Sequence, residues 1–485
     1  MCPAPTDPDS PIASPRPSAR APLAELWMVA WPSILTMTSY TLMQFVDSFM
    51  VSRVEGSGPL LVAAQGNAGM FAWMLMALCA GLTSVVSAFV SQHVGANSPR
   101  EGPRYVWAGL MLSMIYWVVI LLPAAAMAPM LFRLIGHSPE LTQLEVSYAR
   151  ILLVGGIISM SSRVLGHFFY GIHRPRIVFA GAMAGNLVNV LGNYLLIYGH
   201  AGFPALGLAG AALGTVAGSC VEMLFPLAVY LSRRIHAEFG TRSAHKWHWP
   251  SMGAILRLGW PAGLQFGSEM ICWYIFMAAL VGHFGEDHMT AGWATMRYCT
   301  LSFMPALGIS NALTAIVGRY MGASDPATAS ARALLGVKAA MVYMGCCAVI
   351  FVLLRRAMIG VFLDPQLPPE VRNHIIDIGS RLLICAAFFQ LFDALGVTLI
   401  GALRGAGDTI GPGVLTVVLS WTIIVGGGLG LVYFAPGLQS LGPWIAAAAY
   451  VVVLGICLAW RWRHGRWREI RLVEIAPRAA ELVNP

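Results

Sequence analysis

Charged residues are scarce in this sequence, and that scarcity excludes an ordinary water-soluble protein. Asp, Glu, Lys and Arg together make up 11% of the 485 residues, whereas a soluble domain carries about 25% charged residues. Apolar residues account for 57% of the chain, and the mean hydropathy is +0.69. A chain with so few charges cannot form a surface polar enough to stay soluble in water, so its composition indicates lipid as the solvent.

The sequence also lacks the motifs of several enzyme classes. No G-x-x-x-x-G-K-[ST] motif is present, so ATP is not predicted to be the direct energy source. We find no metal-ligating histidine cluster and no nucleophile elbow, and we therefore predict that the protein is not an enzyme. The nine cysteines have no metal-ligand spacing, and we expect neither a disulfide framework nor a bound cofactor.

The apolar residues occur in long runs, which indicates membrane-spanning helices. A helix needs about 20 apolar residues to cross about 30 Å of hydrocarbon. None of the runs alternates with a period of two, as a transmembrane barrel would require. We therefore predict an all-α polytopic membrane protein with about a dozen transmembrane helices. Five of the runs are Met111–Met130, Ile177–Tyr198, Leu206–Leu231, Leu264–Val281 and Val414–Tyr433.

The positions of the positive charges predict the orientation of the chain. The formal net charge is +8, and the basic residues fall in loops on one side when helix ends are counted alternately. The positive-inside rule makes that side cytoplasmic, with both termini inside a cell membrane, the inner membrane of a bacterium. A nucleic-acid-binding surface is the alternative reading, but these residues mark helix ends and form no stripe, so we predict no nucleic-acid partner. The residues include Arg100, Arg104, Arg174, Arg176, Arg233, Arg234, Arg242, Lys246, Arg257, Arg461, Arg463, Arg466, Arg468 and Arg471.

The chain consists of two copies of one unit. Trp31-Pro32 opens the first long run and Trp260-Pro261 opens the seventh, and the pair Gly95-Ala96 recurs as Gly322-Ala323. Each copy holds about six helices, and an even number preserves their orientation. We therefore predict two six-helix bundles related by a parallel repeat around a central cavity. The alternative is an old duplication without functional meaning.

These features predict five segments along the chain. The first is a disordered cytoplasmic tail, because its residues are rich in Pro, Ser and Asp. The two bundles are separated by a cytoplasmic linker loop, and a basic cytoplasmic tail ends the chain. The predicted ranges are 1–21 (tail), 22–233 (N-terminal bundle), 234–252 (linker), 253–463 (C-terminal bundle) and 464–485 (basic tail).

Several short motifs give the chain a family resemblance over roughly residues 24–460. They are Phe45-Val46-Asp47-Ser48-Phe49-Met50, Val90-Ser91-Gln92, Asn186-Leu187-Val188-Asn189, Gly207-Leu208-Ala209-Gly210-Ala211-Ala212 and Leu403-Arg404-Gly405-Ala406-Gly407-Asp408-Thr409. Each is weak alone, but their order and spacing across both halves are specific. In these motifs the sequence resembles the multidrug and toxic compound extrusion (MATE) transporters, and within them the NorM-like branch.

The resemblance implies a secondary active multidrug efflux antiporter that exports organic, cationic compounds in exchange for Na⁺ or H⁺. The sequence leaves the coupling ion open, because carboxylates serve both ions, and it does not identify the substrate. A lipid or lipid-linked oligosaccharide flippase of related architecture is the alternative, although such a protein usually needs a cationic cavity. We further expect a monomer whose partners are its small-molecule substrate and membrane lipid.

Two acidic residues in the second half are the first candidate site. Glu269 and Asp393 lie within apolar runs, where a charge costs about 2.5–3.5 kcal/mol even on a lenient scale. The resemblance implies that they form the cation-binding pair of the NorM-like branch, and oxygen ligands of this kind suit Na⁺. Gln265, Phe389 and Gln390 precede these acids by three or four residues and share their helix faces, so we assign them to the same site.

A second candidate site lies in the first half. Asp47 is again within an apolar run, and Asn189 and Asn193 fall on one face of the fifth helix. We expect this polar stripe to face Asp47 and Thr215 and to form a second proton, cation or substrate site. The alternative is that the asparagines only join helices through hydrogen bonds. Whether Asp47 and the pair in the second half both take part in coupling stays open at this point.

Overall fold

The computed structural model describes residues 21–54, 58–135, 137–363 and 368–473. The predicted tails at 1–21 and 464–485 therefore lie outside the described residues, apart from residue 21 and residues 464–473. Throughout the described ranges the regular secondary structure is helical, without a β-strand. This confirms the all-α prediction.

Twelve long helices, numbered α1 to α12 in chain order, make up most of the described residues. Eleven of them are long and apolar enough to cross a membrane, and α1 is comparable in length, with 31 residues. Together they confirm the prediction of about a dozen membrane-spanning helices. The bounds are Pro22–Ser52 (α1), Leu60–Gly95 (α2), Gly102–Leu134 (α3), Pro139–Gly171 (α4), Pro175–Tyr198 (α5), Leu208–Tyr230 (α6), Trp249–Phe284 (α7), Glu286–Gly322 (α8), Pro326–Val361 (α9), Pro369–Ala406 (α10), Ile410–Phe434 (α11) and Leu441–His464 (α12).

The segment predicted as a linker, 234–252, is partly helical. A short helix, Arg233–Phe239, follows α6, and α7 already begins at Trp249. The start of α7 is capped by His248, whose ring nitrogen Nδ1 accepts the backbone N–H of Ser251 at 3.2 Å. Such a cap satisfies one of the free N–H groups of a first helical turn, which explains why the helix begins before the end of the predicted linker.

The two halves pack their helices in equivalent ways. In the first half α4 packs against α2 and α6, and in the second half α10 packs against α8 and α12. Likewise α1 contacts α5, and its counterpart α7 contacts α11. Equivalent helices thus have equivalent neighbours and the same direction, which confirms the parallel repeat of two six-helix bundles.

The halves meet along a seam formed by α1 against α8 and α2 against α7. At its end the backbones touch, because a Cβ atom on Gly95 would lie 1.9 Å from the carbonyl oxygen of Arg319. The repeat places the same contact on the other side, where a Cβ atom on Gly322 would lie 2.0 Å from the carbonyl oxygen of Gln92. Only glycine allows this approach, so the Gly-Ala motif of each copy closes the seam against the other copy.

Side-chain contacts close the same end of the seam. Gln92 donates through Nε2 to the carbonyl oxygen of Gly405 at 3.0 Å, from the first half to the second. α1 begins at this end of the molecule, and α2, α8 and α10 finish here, as the even number of crossings requires. The two halves are therefore joined at the end of the bundle where the first helix begins and the last one ends.

A largely buried polar cluster of Glu25, Tyr320 and Arg332, called here the Glu25 cluster, also joins the two halves across the seam. The carboxylate of Glu25, in the first turn of α1, accepts the hydroxyl of Tyr320 at 3.0 and 3.1 Å. Its Oε2 atom also accepts Nε of Arg332, on α9, at 2.8 Å. The side chains of Glu25 and Arg332 are only 7% and 14% exposed, so this is an ion pair largely removed from water.

Candidate functional site

The second half encloses a cavity of about 310 Å³ between α7, α8, α10 and α12. Four of the five residues predicted for this half line it, namely Gln265 and Glu269 on α7 and Phe389 and Asp393 on α10. Their helical spacing brings them to the cavity because residues three or four positions apart share a helix face. The two carboxylates thus border the same space although 124 residues of chain separate them in sequence (393 − 269).

The two acids have different surroundings within the cavity. Glu269 accepts the hydroxyl of Tyr450, on α12, through Oε1 at 2.9 Å. Asp393 has no hydrogen-bond partner among the described residues, and it lies close enough to Glu269 for the two charges to act on each other. One acid is therefore fixed by a donor, while the other is available to a ligand in the cavity.

Gln390 lies beside the cavity instead of on its wall. Its side chain is 1% exposed and donates through Nε2 to the hydroxyl of Ser302, on α8, at 2.7 Å. This contact joins α8 and α10 behind the cavity wall. The structure thus brings Gln265, Glu269 and Asp393 together and gives Gln390 a separate partner.

Most of the remaining cavity wall is apolar. Methionine and aromatic side chains make up much of it, and Met can repack around ligands of different shape. The wall also includes one guanidinium, that of Arg404, which stands 5.8 Å from the ring centre of Phe266. No acidic side chain forms an ion pair with Arg404 among the described residues. The apolar lining residues include Met270, Trp273, Met296, Phe303 and Met304.

The predicted site of the first half is a chain of hydrogen bonds. Asn193 donates through Nδ2 to Oδ1 of Asp47 at 2.6 Å, and its amide also lies 3.4 Å from Oδ1 of Asn189. Asn189 in turn donates through Nδ2 to the hydroxyl of Thr215 at 3.3 Å. All four predicted residues are therefore joined, and Asp47, Asn189 and Asn193 are buried.

This cluster has spare hydrogen-bonding capacity. Within the part of the chain that the structure describes, the buried Oδ1 atom of Asn193 and the buried Oε1 atom of Gln65 have no hydrogen-bond partner. Tyr148 lies beside both Asp47 and Gln65, so its hydroxyl extends the polar region toward α2 and α4. A carboxylate with amide and hydroxyl neighbours, and without a cationic partner, is suited to bind a proton or a small cation.

Sequence reasoning did not find several polar residues that the fold brings together. Tyr450 follows a run of alanines and looks like an ordinary membrane tyrosine. Glu145 is fully buried, where it accepts Nδ2 of Asn67 at 2.7 Å and lies 2.9 Å from Nδ1 of His137. Its neighbours in sequence include Glu140, Gln143 and Arg150, so it resembles an acid in an exposed polar segment. The partners themselves come from other helices and loops, which sequence spacing does not reveal.

Metal-ligating residues do not gather elsewhere in the described ranges. No group of three or more His, Cys, Asp or Glu side chains that could hold a metal ion is found there. The acids of the cavity remain the place where a transported Na⁺ ion would find oxygen ligands, with Glu269 and Asp393 as charged donors. Gln265 offers a neutral oxygen on the same wall.

Comparisons with known proteins agree with this architecture. The MatE family model matches residues 32–195 and 265–427, one block in each half. The chain is 30% identical to the probable multidrug resistance protein NorM of Deinococcus radiodurans, covering 93% of this chain and 97% of the relative. It is 28% identical to the multidrug resistance protein PmpM of Pseudomonas aeruginosa, covering 85% of each.

Solved structures share the fold. A crystal structure of MATE in complex with MaL6 superimposes with a TM-score of 0.83 at 22% identity, over 93% of this chain and 98% of that one. An outward-facing multidrug resistance MATE family transporter of the MOP superfamily gives a TM-score of 0.81 over the same shares. Both family blocks, the near full-length relatives and the shared fold lead to one conclusion: the chain belongs to the MatE family, the multidrug and toxic compound extrusion transporters.

Proposed function

We propose that the protein is a secondary active multidrug antiporter that exports organic cations in exchange for Na⁺ or H⁺. Family membership and relatives named as multidrug resistance proteins support the transport of small molecules. The observation that carries the proposal is the cavity in which Glu269 and Asp393 face the same space among apolar and methionine side chains. Such a wall suits varied apolar molecules that carry a positive charge.

The two carboxylates would couple the fluxes through competition. Two negative charges close together in a low-dielectric cavity repel each other, and a positive charge relieves that repulsion. A Na⁺ ion, a proton or the cationic group of a substrate can supply it, so binding of the ion displaces the substrate. Tyr450 would keep Glu269 oriented through its hydrogen bond. Asp393 would then be the carboxylate that binds the coupling ion and the substrate in turn.

The closed seam supports an assignment of direction. If the termini are cytoplasmic, as the basic loops suggest, then Gly95, Gly322 and the Glu25 cluster close the cytoplasmic end. In transporters built from repeats, the halves rock against each other around a central site. The conformation described here would then release substrate outward and take up the ion, and parting of the seam would admit substrate from the cytoplasm.

The site around Asp47 is proposed as a second coupling site, since the partners of its carboxylate among the described residues are neutral. Transport would draw on an ion gradient and the membrane potential, which supplies about 2.3 kcal/mol per charge per 100 mV. This suffices for exchange without ATP. We propose that the protein transports its substrate unchanged, without catalysing a reaction, and works as a monomer.

The flippase alternative has one observation in its favour, the guanidinium of Arg404 in the cavity wall. A lipid-linked diphosphate would need several such charges to offset its own. The cavity instead has two carboxylates for one guanidinium, so the acidic character prevails and the efflux proposal is the better supported of the two.

Dye uptake into everted membrane vesicles tests the proposal, because the cytoplasmic face of such vesicles is turned outward. A cationic dye is added to the external buffer of vesicles containing the wild-type protein, and Na⁺ and H⁺ gradients from the lumen to the buffer are imposed separately. We expect one of the gradients to drive dye movement, and Asp393→Asn to abolish it at an unchanged expression level. A matched control is Glu286→Gln, which removes an exposed acid at the start of α8. Dye that moves under neither gradient counts against antiport and favours the flippase.

A further inference from the structure

The loop that follows α6 is held firmly against the outer helices of the first half. The short helix Arg233–Phe239 ends at Gly240 in a left-handed conformation (φ 71°). The next residue, Thr241, is fully buried and donates through Oγ1 to the carbonyl oxygen of Tyr230 at 2.8 Å. Its own carbonyl oxygen accepts Nε1 of Trp107, on α3, at 2.8 Å. The loop is thus a built part of the fold.

Arg242 follows directly and is fixed at the carboxyl end of α6. Its Nε atom donates to the carbonyl oxygen of Leu231 at 2.8 Å, and its backbone N–H donates to Nδ1 of His236 at 3.1 Å. Its carbonyl oxygen lies 2.7 Å from Nδ1 of His245. The guanidinium and the imidazole are therefore held near each other by backbone contacts.

The positive charge of Arg242 is not offset by an acid in the described part of the chain. The two acids of the neighbouring segments already have partners, since Glu238 pairs with Arg174 and Glu101 pairs with Arg104. Lys246 adds a further exposed basic group to the loop. The loop consequently offers uncompensated positive charge at a fixed position.

A groove of about 570 Å³ runs from this charge along the outer surface of α3. One wall consists of Trp107, Leu110, Met111 and Met114, which recur at helical spacing on one face of α3. Leu231 completes the apolar wall, and Arg242 and His245 border the end of the groove. At 1.5 Å per residue, the α3 face from Trp107 to Met114 extends about 10 Å.

The level of the groove in the membrane follows from its neighbours. Trp247 and Trp249 are 47% and 68% exposed beside the loop, and exposed tryptophans concentrate where membrane meets water. Met114 is half exposed, and Val118 and Val119 continue the exposed apolar face of α3 deeper into the membrane. The basic end of the groove therefore lies at the headgroup level, and its apolar wall faces the acyl chains.

We propose that this groove binds one anionic phospholipid from the leaflet on the side of the termini. The phosphate would contact the free guanidinium nitrogen of Arg242 and the ring of His245, while an acyl chain lies along the α3 face. Basic pockets at helix ends on the cytoplasmic side are suited to anionic headgroups. The proposal does not depend on the transport function, only on the orientation given by the basic loops.

Lipid titration of the purified protein tests the site. The full-length protein in a neutral detergent is titrated with phosphatidylglycerol or phosphatidylcholine, and bound lipid is counted by native mass spectrometry. We expect one phosphatidylglycerol to bind more tightly than phosphatidylcholine. Arg242→Gln should weaken it about fivefold, because one basic residue at a membrane surface contributes about 1 kcal/mol. Met111→Trp, which fills the groove, should weaken both charged and neutral lipid.

Two controls separate this site from a general attraction to positive charge. Arg463→Gln removes an exposed basic residue at the end of α12 on the same side and should leave the binding unchanged. Arg242→Lys keeps the charge and should retain most of the binding, which distinguishes lost contacts from misfolding. Unchanged binding in Arg242→Gln and Met111→Trp, or an equal loss in Arg463→Gln, overturns the proposal.

Discussion

The Glu25 cluster should stabilise the closed seam, and Glu25→Gln measures by how much. Glutamine keeps the size of the side chain and one carbonyl acceptor, but it removes the negative charge that faces Arg332. The hydroxyl of Tyr320 and Nε of Arg332 then compete for a single neutral oxygen, where the carboxylate now accepts both. The closed conformation loses this stabilisation, whereas a conformation with a parted seam does not.

The magnitude follows from the burial of the pair. Removing one partner of a fully buried ion pair costs about 3–5 kcal/mol, and a hydrogen bond to a charged group contributes about 1.5–3 kcal/mol. Glutamine retains an acceptor and Arg332 is 14% exposed, so the lower of these ranges applies. The equilibrium should shift about 10- to 150-fold toward the parted seam, since 1.4 kcal/mol corresponds to a factor of ten.

Spin labels across the seam report the shift. The labels are attached at Arg100→Cys and Ala327→Cys, in a background without the nine native cysteines. Both positions are exposed, and each follows the equivalent proline of its copy. Pulsed spin resonance should give one short distance in the otherwise unaltered protein and an added longer distance in Glu25→Gln. The exchange Glu25→Arg with Arg332→Glu should restore the short distance.

A control and a clear contrary result accompany this experiment. Asp377→Asn breaks an ion pair of similar length, to Arg356, in which both side chains are more than half exposed, and it should not change the distances. The reasoning is refuted if Glu25→Gln gives the same distance distribution as the unaltered seam, because the cluster would then contribute nothing to closure.

Three further changes have expected outcomes. Asp47→Asn should impair the coupling, because it removes the charge that Asn193 contacts; drug resistance that stays unchanged at equal expression would show a structural role instead. Gly95→Val should prevent closure of the seam and lower transport, since the Cβ atom of the valine would lie 1.9 Å from a backbone oxygen. The control Gly253→Ala, at a position with open space for a Cβ atom, should stay active. Glu145→Gln should lower the thermal unfolding temperature in detergent, because it leaves Asn67 and His137 without a charged acceptor. We expect the free energy of unfolding to fall by about 1–3 kcal/mol. An equal change in the exposed Glu140→Gln would contradict this reasoning.

The sequence allowed the prediction of the helices and their repeat because both depend on local composition. Long apolar runs have one stable form in lipid, and recurring motifs mark the second copy directly. The polar chain from Asp47 to Thr215 was also predictable in outline, because Asn189 and Asn193 share a helix face and an embedded acid needs polar neighbours.

Other parts of the site depend on how distant helices meet. Phe389 and Gln390 are adjacent, about 100° apart around the helix, and only the packing of α8 against α10 decides that Phe389 lines the cavity. Glu25 is also hard to recognise, since an acid in a first helical turn is common for reasons of the helix dipole. Its partner Tyr320 lies 295 positions further along the chain, beyond any local pattern.

The backbone contacts of Gly95 and Gly322 affect the entropy of closing the seam. Glycine has no side chain to immobilise, so bringing these turns together costs no rotamer freedom, whereas burying a long polar side chain costs about 1.5–2 kcal/mol. The ordering cost of long polar side chains at this end of the seam therefore falls on Gln92, Glu25 and Arg332, which form their hydrogen bonds in return. A seam built in this way confines its side-chain entropy cost to these few residues in each cycle, and its response to temperature should follow them.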